Sequence, residues 1–206
     1  MDVYVSLDLT DLGRAIRIAM EAWRAGLRHF EVGTPLIKWE GISAVRALRS
    51  ALPDAVIFAD TKTADVGWLE TQMALEAGAN VVSVLGAAPD ETVRSAVETA
   101  ERLGGRVLAD TLGLRERVPQ RARELASLGV HMICVHRGVD EGVFSDEALL
   151  KELRGLGVEI GAAGGLTPER ISSLRGMVDF VMVGRYITGS DDPFTAAKKV
   201  LEAAEG

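Results

Sequence analysis

The most chemically loaded stretch of the chain is Asp60-Thr61-Lys62-Thr63-Ala64-Asp65. A lysine with carboxylates at this spacing stays an ammonium, because opposite charges a few ångströms away favour its charged form. Such a group steadies negative charge as it develops during a reaction. Glu31 and Asp60 are hard oxygen donors, and Mg2+ takes one or two carboxylates and fills its octahedron with water and substrate. Without a metal the two acids would repel each other or pair with Lys62. A soft metal has little to hold it, since Cys134 is the single cysteine and the three histidines are His29, His131 and His136. His136 follows the apolar run Met132-Ile133-Cys134-Val135, and an imidazole that titrates near neutrality suits reversible proton transfer. Two glycine-bearing stretches, Ala162-Ala163-Gly164-Gly165-Leu166-Thr167-Pro168 and Val183-Gly184-Arg185, let backbone N–H groups approach an anion, with Arg185 as a charged clamp.

These residues need elements that bring them together. Short apolar, β-branched runs recur at Val3–Leu7, His29–Val32, Val56–Ala59, Asn80–Val84, Arg106–Ala109, His131–Val135, Val158–Ala162 and Phe180–Val183. They do not alternate cleanly, as expected of parallel strands buried on both faces. Helical segments fall between them: one capped by Thr10/Asp11 and stopped by Gly26, then Ile42–Leu52, Pro89–Leu103, Pro119–Leu128, Ser145–Leu156, Thr167–Leu174 and Asp192–Ala204. Several begin with an acid or proline and stop at glycine. Strand–helix repeated eight times with no linker predicts a small α/β protein, a (β/α)8 TIM barrel forming a single domain over residues 1–206. An open doubly wound sheet would favour a GxGxxG turn after the first strand, where the chain has Leu7-Asp8-Leu9-Thr10.

Barrel enzymes place their chemistry where the strands end. Asp8, Glu31, Asp60-Thr61-Lys62, Asp110, His136-Arg137, Gly164-Gly165 and Gly184-Arg185 all fall at or near those ends. Strand alternation predicts that Asp60 and Lys62 point the same way, into the barrel mouth. His29 and His131 fall at strand beginnings and are expected to be structural or surface residues. The Met20/Trp23 stripe is expected to pack in the core, Cys134 to be a buried small hydrophobe, and Arg14-Arg17 and Arg121-Arg123 to be solvated helix faces.

Composition narrows the function classes. The chain has 206 residues, 48% hydrophobic, and its 23 basic and 30 acidic residues leave a net charge of −7. That balance lacks the basic footprint of a nucleic-acid binder. The apolar runs are far shorter than the ~20 residues a membrane-spanning helix needs. The acidic N-terminus MDVYVSLDLTD resembles neither a signal nor a transit peptide, so a cytoplasmic location is expected.

With its motifs Glu31-Val-Gly-Thr-Pro-Leu-Ile-Lys-x-Glu-Gly41, Asp60-Thr-Lys-x-x-Asp65, Val82-Ser-Val-Leu-Gly86, Val135-His-x-Gly-x-Asp140, Gly164-Gly-Leu-Thr-Pro168 and Val183-Gly-Arg-x-Ile-Thr-Gly189, the chain resembles the orotidine-monophosphate-decarboxylase superfamily. Within it, the 3-hexulose-6-phosphate synthases are the most similar. Glu31 stands where the orotidylate decarboxylases carry a lysine. Val139 stands where the 3-keto-L-gulonate-6-phosphate decarboxylases carry an arginine, while Arg137 is less usual for a synthase. The resemblance implies Mg2+-dependent condensation of formaldehyde with D-ribulose 5-phosphate to D-arabino-3-hexulose 6-phosphate, and its reverse, through an enediolate. It implies Glu31 and Asp60 as metal ligands, and His136, Lys62, Asp60 and Asp65 as catalytic residues. Asp8, Glu31, Asp65, Gly164, Gly165, Gly184 and Arg185 would contact the phosphosugar. It also implies a homodimer in which Asp65 enters the neighbouring subunit's site. The two decarboxylase activities and a non-catalytic phosphosugar-binding barrel are the alternatives.

Overall fold

A computed structural model describes residues 1–138, 140, 142 and 147–206. Val139 and the first two residues of the helix expected over Ser145–Leu156 lie outside the described residues.

Eight parallel strands close into a barrel in sequence order: β1 (Asp2–Leu7), β2 (His29–Val32), β3 (Val56–Thr63), β4 (Val81–Leu85), β5 (Arg106–Asp110), β6 (Met132–His136), β7 (Glu159–Ala163) and β8 (Phe180–Val183). β1 pairs with both β2 and β8, so no edge is left exposed. The helices wrap the outside: α1 (Leu12–Arg24), α2 (Thr34–Glu40), α3 (Ser43–Ala51), α4 (Gly67–Glu76), α5 (Asp90–Leu103), α6 (Val118–Ser127), α7 (Glu147–Leu153), α8 (Pro168–Leu174), α9 (Arg185–Thr188) and α10 (Pro193–Glu205). The fold is the predicted (β/α)8 barrel.

Residues alternate between two cores. Val3, Val5, Leu7, Phe30, Val32, Ile57, Val82 and Val84 face outward and pack beneath the helices. Tyr4, Phe58, Val81, Leu108, Met132, Cys134, Phe180 and Met182 fill the barrel itself. Each such large side chain, fully buried, contributes roughly 1.5–3 kcal/mol. Cys134 is buried there as expected. Gly161 has no room for a side chain, since a Cβ would stand 2.1 Å from the Phe180 ring.

Local signals explain the helix starts. Asp11 accepts the Arg14 N–H and Asp192 the Thr195 N–H, each satisfying one of the amides a helix leaves unpaired. Two expectations about helix faces fail. α1 buries Ala15, Ile18, Ala19 and Ala22, a stripe rotated from Met20 and Trp23, and Met20 is 49% exposed. Trp23 is only partly buried against the core.

Arg121 is no solvated residue either: it is buried, donating from Nε to the Gly86 carbonyl, from Nη2 to the Ala88 carbonyl and from Nη1 to Asp90 and Glu124. Those carbonyls follow β4, so the guanidinium ties that loop to α6. The short helix α2 and the helix α4 were not anticipated as separate segments. Around them Trp39, Val66, Trp68, Leu69 and Met73 are exposed, Trp39 at 71%. No helix among the described residues is long and apolar enough to cross a membrane.

Candidate active site

The strand ends open into a cavity of about 1260 Å³. Asp8, Glu31, Asp60, Lys62, Asp110, His136, Arg137, Gly164, Gly165, Gly184 and Arg185 all line it. None of the described lining residues falls between 63 and 107, so the β4 quarter of the rim takes no part.

The expected alternation along β3 is interrupted. Ala59 pairs with Val82 and Thr63 with Val84, so β3 spends two residues more than β4 over this stretch. The resulting bulge puts Lys62 at φ 47°, left-handed backbone that costs a non-glycine residue roughly 1–3 kcal/mol. Lys62 and Asp60 do meet in the mouth, through this bulge. Lys62 Nζ donates to Asp60 Oδ2 at 2.7 Å and to Asp110 Oδ2 at 2.6 Å. Burial pulls the amine's pKa down, and the carboxylates of Asp110 and Asp60 more than reverse it, so Lys62 is held as an ammonium above lysine's ordinary value.

Asp110 joins that ammonium to the imidazole. Its Oδ2 lies 2.9 Å from His136 Nδ1, and its Oδ1 accepts the Leu112 N–H at 2.8 Å. Burial raises this carboxyl, but the bond and charge of His136, then Lys62, outweigh it and bring its pKa down to about 2. At neutral pH Asp110 is therefore an acceptor, so Nδ1 carries the shared proton and a neutral His136 presents Nε2 as its basic atom.

On the other side of Lys62 the acids crowd. Glu31 lies within β2 opposite Ser6 and accepts its hydroxyl. Its pKa stands well above the ordinary value, first from burial and then from Asp60 and Asp8, against the Ser6 bond and Lys62. Asp8 opens to the cavity's water yet stands deep among protein atoms. Desolvation and then Asp60 raise it, while Lys62 and His136 lower it. Asp60 accepts Thr34 Oγ1 at 2.8 Å and Ser83 Oγ at 2.7 Å. Four carboxyl groups thus gather around one ammonium and one imidazole, with Lys38, Arg137 and Arg185 also on the cavity wall. That crowding of hard oxygens is the donor chemistry a divalent cation such as Mg2+ takes. Among the described residues no group of three or more His, Cys, Asp or Glu is placed to hold a metal ion, so a cation here would rest on at most two of these acids and draw its other ligands from water and substrate.

Across the mouth the backbone of the β7 and β8 loops turns inward. Gly164 has φ 122° and Gly165 φ 64°. A Cβ at Gly164 would stand 2.5 Å from the Arg137 carbonyl oxygen, so only glycine lets the β7 loop pass this close to the loop after β6. Arg185, just after Gly184, opens α9.

Asp65 is the predicted site residue that does not join this mouth. It is exposed, accepts the Val66 N–H and lines no part of the cavity. His29 and His131 lie at the opposite end, as expected. His131 Nδ1 accepts the Val107 N–H, and His29 stacks at 4.9 Å on Tyr4. Asp110 was visible in the sequence only as an acid ending an apolar run, with no role attached. Ser6 carried no sequence signal beyond being a small polar residue in an apolar strand, and Ser83 stood within the Val82-Ser-Val-Leu-Gly86 motif with no role attached.

Residues 1–200 match the model of the orotidine 5'-phosphate decarboxylase / HUMPS family. The chain belongs to this family. Among curated relatives, the 3-hexulose-6-phosphate synthase of Mycobacterium gastri is 34% identical over 98% of this chain and 99% of its own. Among solved structures, the 3-hexulose-6-phosphate synthase of Salmonella typhimurium superposes with a TM-score of 0.93 at 29% identity, over 100% of this chain and 99% of that one. The 3-keto-L-gulonate-6-phosphate decarboxylase of Vibrio cholerae gives 0.84 at 28% identity, over 99% and 97%. As a family member with full-length relatives of this kind, the chain is an enzyme of lyase type.

Proposed function

We propose that the chain condenses formaldehyde with D-ribulose 5-phosphate to D-arabino-3-hexulose 6-phosphate, and catalyses the reverse, with Mg2+ as cofactor. The names of the relatives above support the product, a 3-hexulose 6-phosphate. The observation that carries the chemistry is the chain His136–Asp110–Lys62–Asp60 beside Glu31, a base and a cation held at one mouth.

His136 Nε2 takes the proton from carbon 1 of the ketose, and Asp110 stabilises the imidazolium this forms. The enediolate left behind carries negative charge that the Lys62 ammonium steadies. Mg2+, held by Glu31 and Asp60, would act as a Lewis acid and offset their surplus charge. Carbon 1 then forms the new bond to the formaldehyde carbon. The imidazolium returns its proton to the former carbonyl oxygen, leaving a hydroxymethyl group. Asp8 orients the sugar hydroxyls. Backbone N–H groups of Gly165 and Gly184 bind the phosphate with Arg185, and Gly164 lets them approach. Phosphate binding far from the bond being made places carbon 1 against the base.

The active unit in this reading is a homodimer. Trp39, Val66, Trp68, Leu69 and Met73 put exposed apolar surface on and beside α2 and α4, and Asp65 stands just before α4. Covering that surface with a second copy would carry Asp65 toward the neighbour's cavity.

One assay tests the whole. Formaldehyde consumption that requires both ribulose 5-phosphate and a divalent cation is the expected result. Release of CO2 from 3-keto-L-gulonate 6-phosphate with no formaldehyde consumed would make the chain a decarboxylase, and full activity in excess EDTA would remove the metal.

A further inference from the structure

β4 lends nothing to the cavity, yet one of its residues touches both members of the central ion pair. Ser83 is fully buried and lies between Val82 and Val84, the partners of Ala59 and Thr63. It is thus the one β4 residue facing the bulged segment 60–62, where the regular ladder is broken. Three bonds replace the ladder. Ser83 Oγ accepts the Lys62 backbone N–H at 2.8 Å and donates its own proton to Asp60 Oδ1 at 2.7 Å. Its carbonyl accepts Thr61 Oγ1, also at 2.8 Å.

We infer that Ser83 is a positioning residue for catalysis: its hydroxyl locks the bulge that holds the Lys62 ammonium between Asp60 and Asp110. A hydroxyl has one donor and two acceptor sites, so a single oxygen can orient the Asp60 carboxylate and fix the Lys62 backbone together. A non-glycine residue stays at positive φ only where its surroundings over-determine it. Alanine at 83 would leave the Lys62 N–H buried without an acceptor. Rotation of Lys62 out of the left-handed region would relieve that, swinging Nζ off Asp110. Cysteine has nearly the right size but is a weak donor and acceptor, so it tests the bonds rather than the volume.

The kinetic arm of the test rests on the proposed function, and the structural arm stands without it. Ser83→Ala and Ser83→Cys are assayed as full chains for formaldehyde-dependent consumption of ribulose 5-phosphate. The expected kcat is lower by about 10–100-fold, the cost of a roughly 1 Å misplacement. KM for the sugar phosphate should stay within about threefold, because the phosphate loops follow β7 and β8. A crystal structure of Ser83→Ala should show Lys62 outside the left-handed region or its Nζ detached from Asp110. A kcat within about threefold of the unsubstituted chain, an equal change in kcat and KM, or an unmoved Lys62 overturns the inference. If Ser83→Ala fails to fold, Ser83→Cys carries both comparisons. If the unsubstituted chain consumes no formaldehyde, the functional reading falls and the position of Lys62 alone decides.

Discussion

Where the strands begin, Arg106 pairs with Glu159 at 2.7 Å, His29 stands 3.8 Å from Asp2, and Asp179 accepts the Ile160 N–H. Where they end, Asp8, Glu31, Asp60 and Asp110 gather around Lys62 and His136, and Lys38, Arg137 and Arg185 also line the cavity. The side-chain types are alike at the two ends. At the first end these charges meet a counter-charge or bond the backbone. At the second the acids lie closer to one another than the Lys62 ammonium beside them can offset, and Glu31 and Asp8 are both pushed above their ordinary pKa values by burial and by neighbouring acids. Chemistry is located by that imbalance rather than by the presence of histidine or carboxylate.

The sharpest break between the ends should come from histidine. His136→Asn is expected to lower kcat by about 10²–10⁴-fold, the usual worth of a general base. Affinity for a phosphosugar ligand should stay within about tenfold, since no phosphate contact is removed. His131→Asn should leave kcat within about threefold. Steady-state kinetics and ligand titration on both variants check this, and equal losses would erase the distinction between the two ends.

A smaller effect is expected from acid. Asp110 falls from an ordinary 3.8 to about 2 in the folded chain. A depressed carboxyl adds stability that is present above the unfolded value and lost as pH drops through the folded one. The contribution, on the order of 2 kcal/mol, should therefore disappear between about pH 4 and pH 2. Urea unfolding of the native chain and of Asp110→Asn across that window should show the stability gap closing as pH falls.

The smallest effect has the opposite sign. Glu31→Gln removes one of the crowded acids, so in EDTA at neutral pH its thermal midpoint should rise, by roughly 2–4 °C for each kcal/mol of repulsion relieved. Turnover should be lost in the same variant. A lower midpoint would show that the Ser6 bond outweighs the crowding.

The barrel was legible because strands buried on both faces must be short and apolar, and their recurrence survives without any knowledge of packing. Most of the mouth was legible for a related reason: strand ends converge, so Asp8, Glu31, Asp60, Lys62 and His136 had to be neighbours once the barrel was drawn. What stayed hidden depends on partners distant in sequence. The bulge at Lys62 is a mismatch between β3 and β4 that neither strand reveals alone. Asp110 gained its role only from the ammonium and imidazole that meet it. Arg121 reads as one more charged residue on a helix until the Gly86 and Ala88 carbonyls are placed beside it. Met20 was misplaced because Ile18 and the small residues Ala15, Ala19 and Ala22 form the face of α1 that approaches the barrel.

Arg121 also limits how the molecule can move. A loop whose carbonyls and first helical carboxylate are clasped by one guanidinium cannot swing inward without breaking several charge-assisted bonds together. Whatever shields a bound ligand from solvent therefore has to approach from another part of the rim, leaving the β4 side as a fixed wall against which such movement is measured.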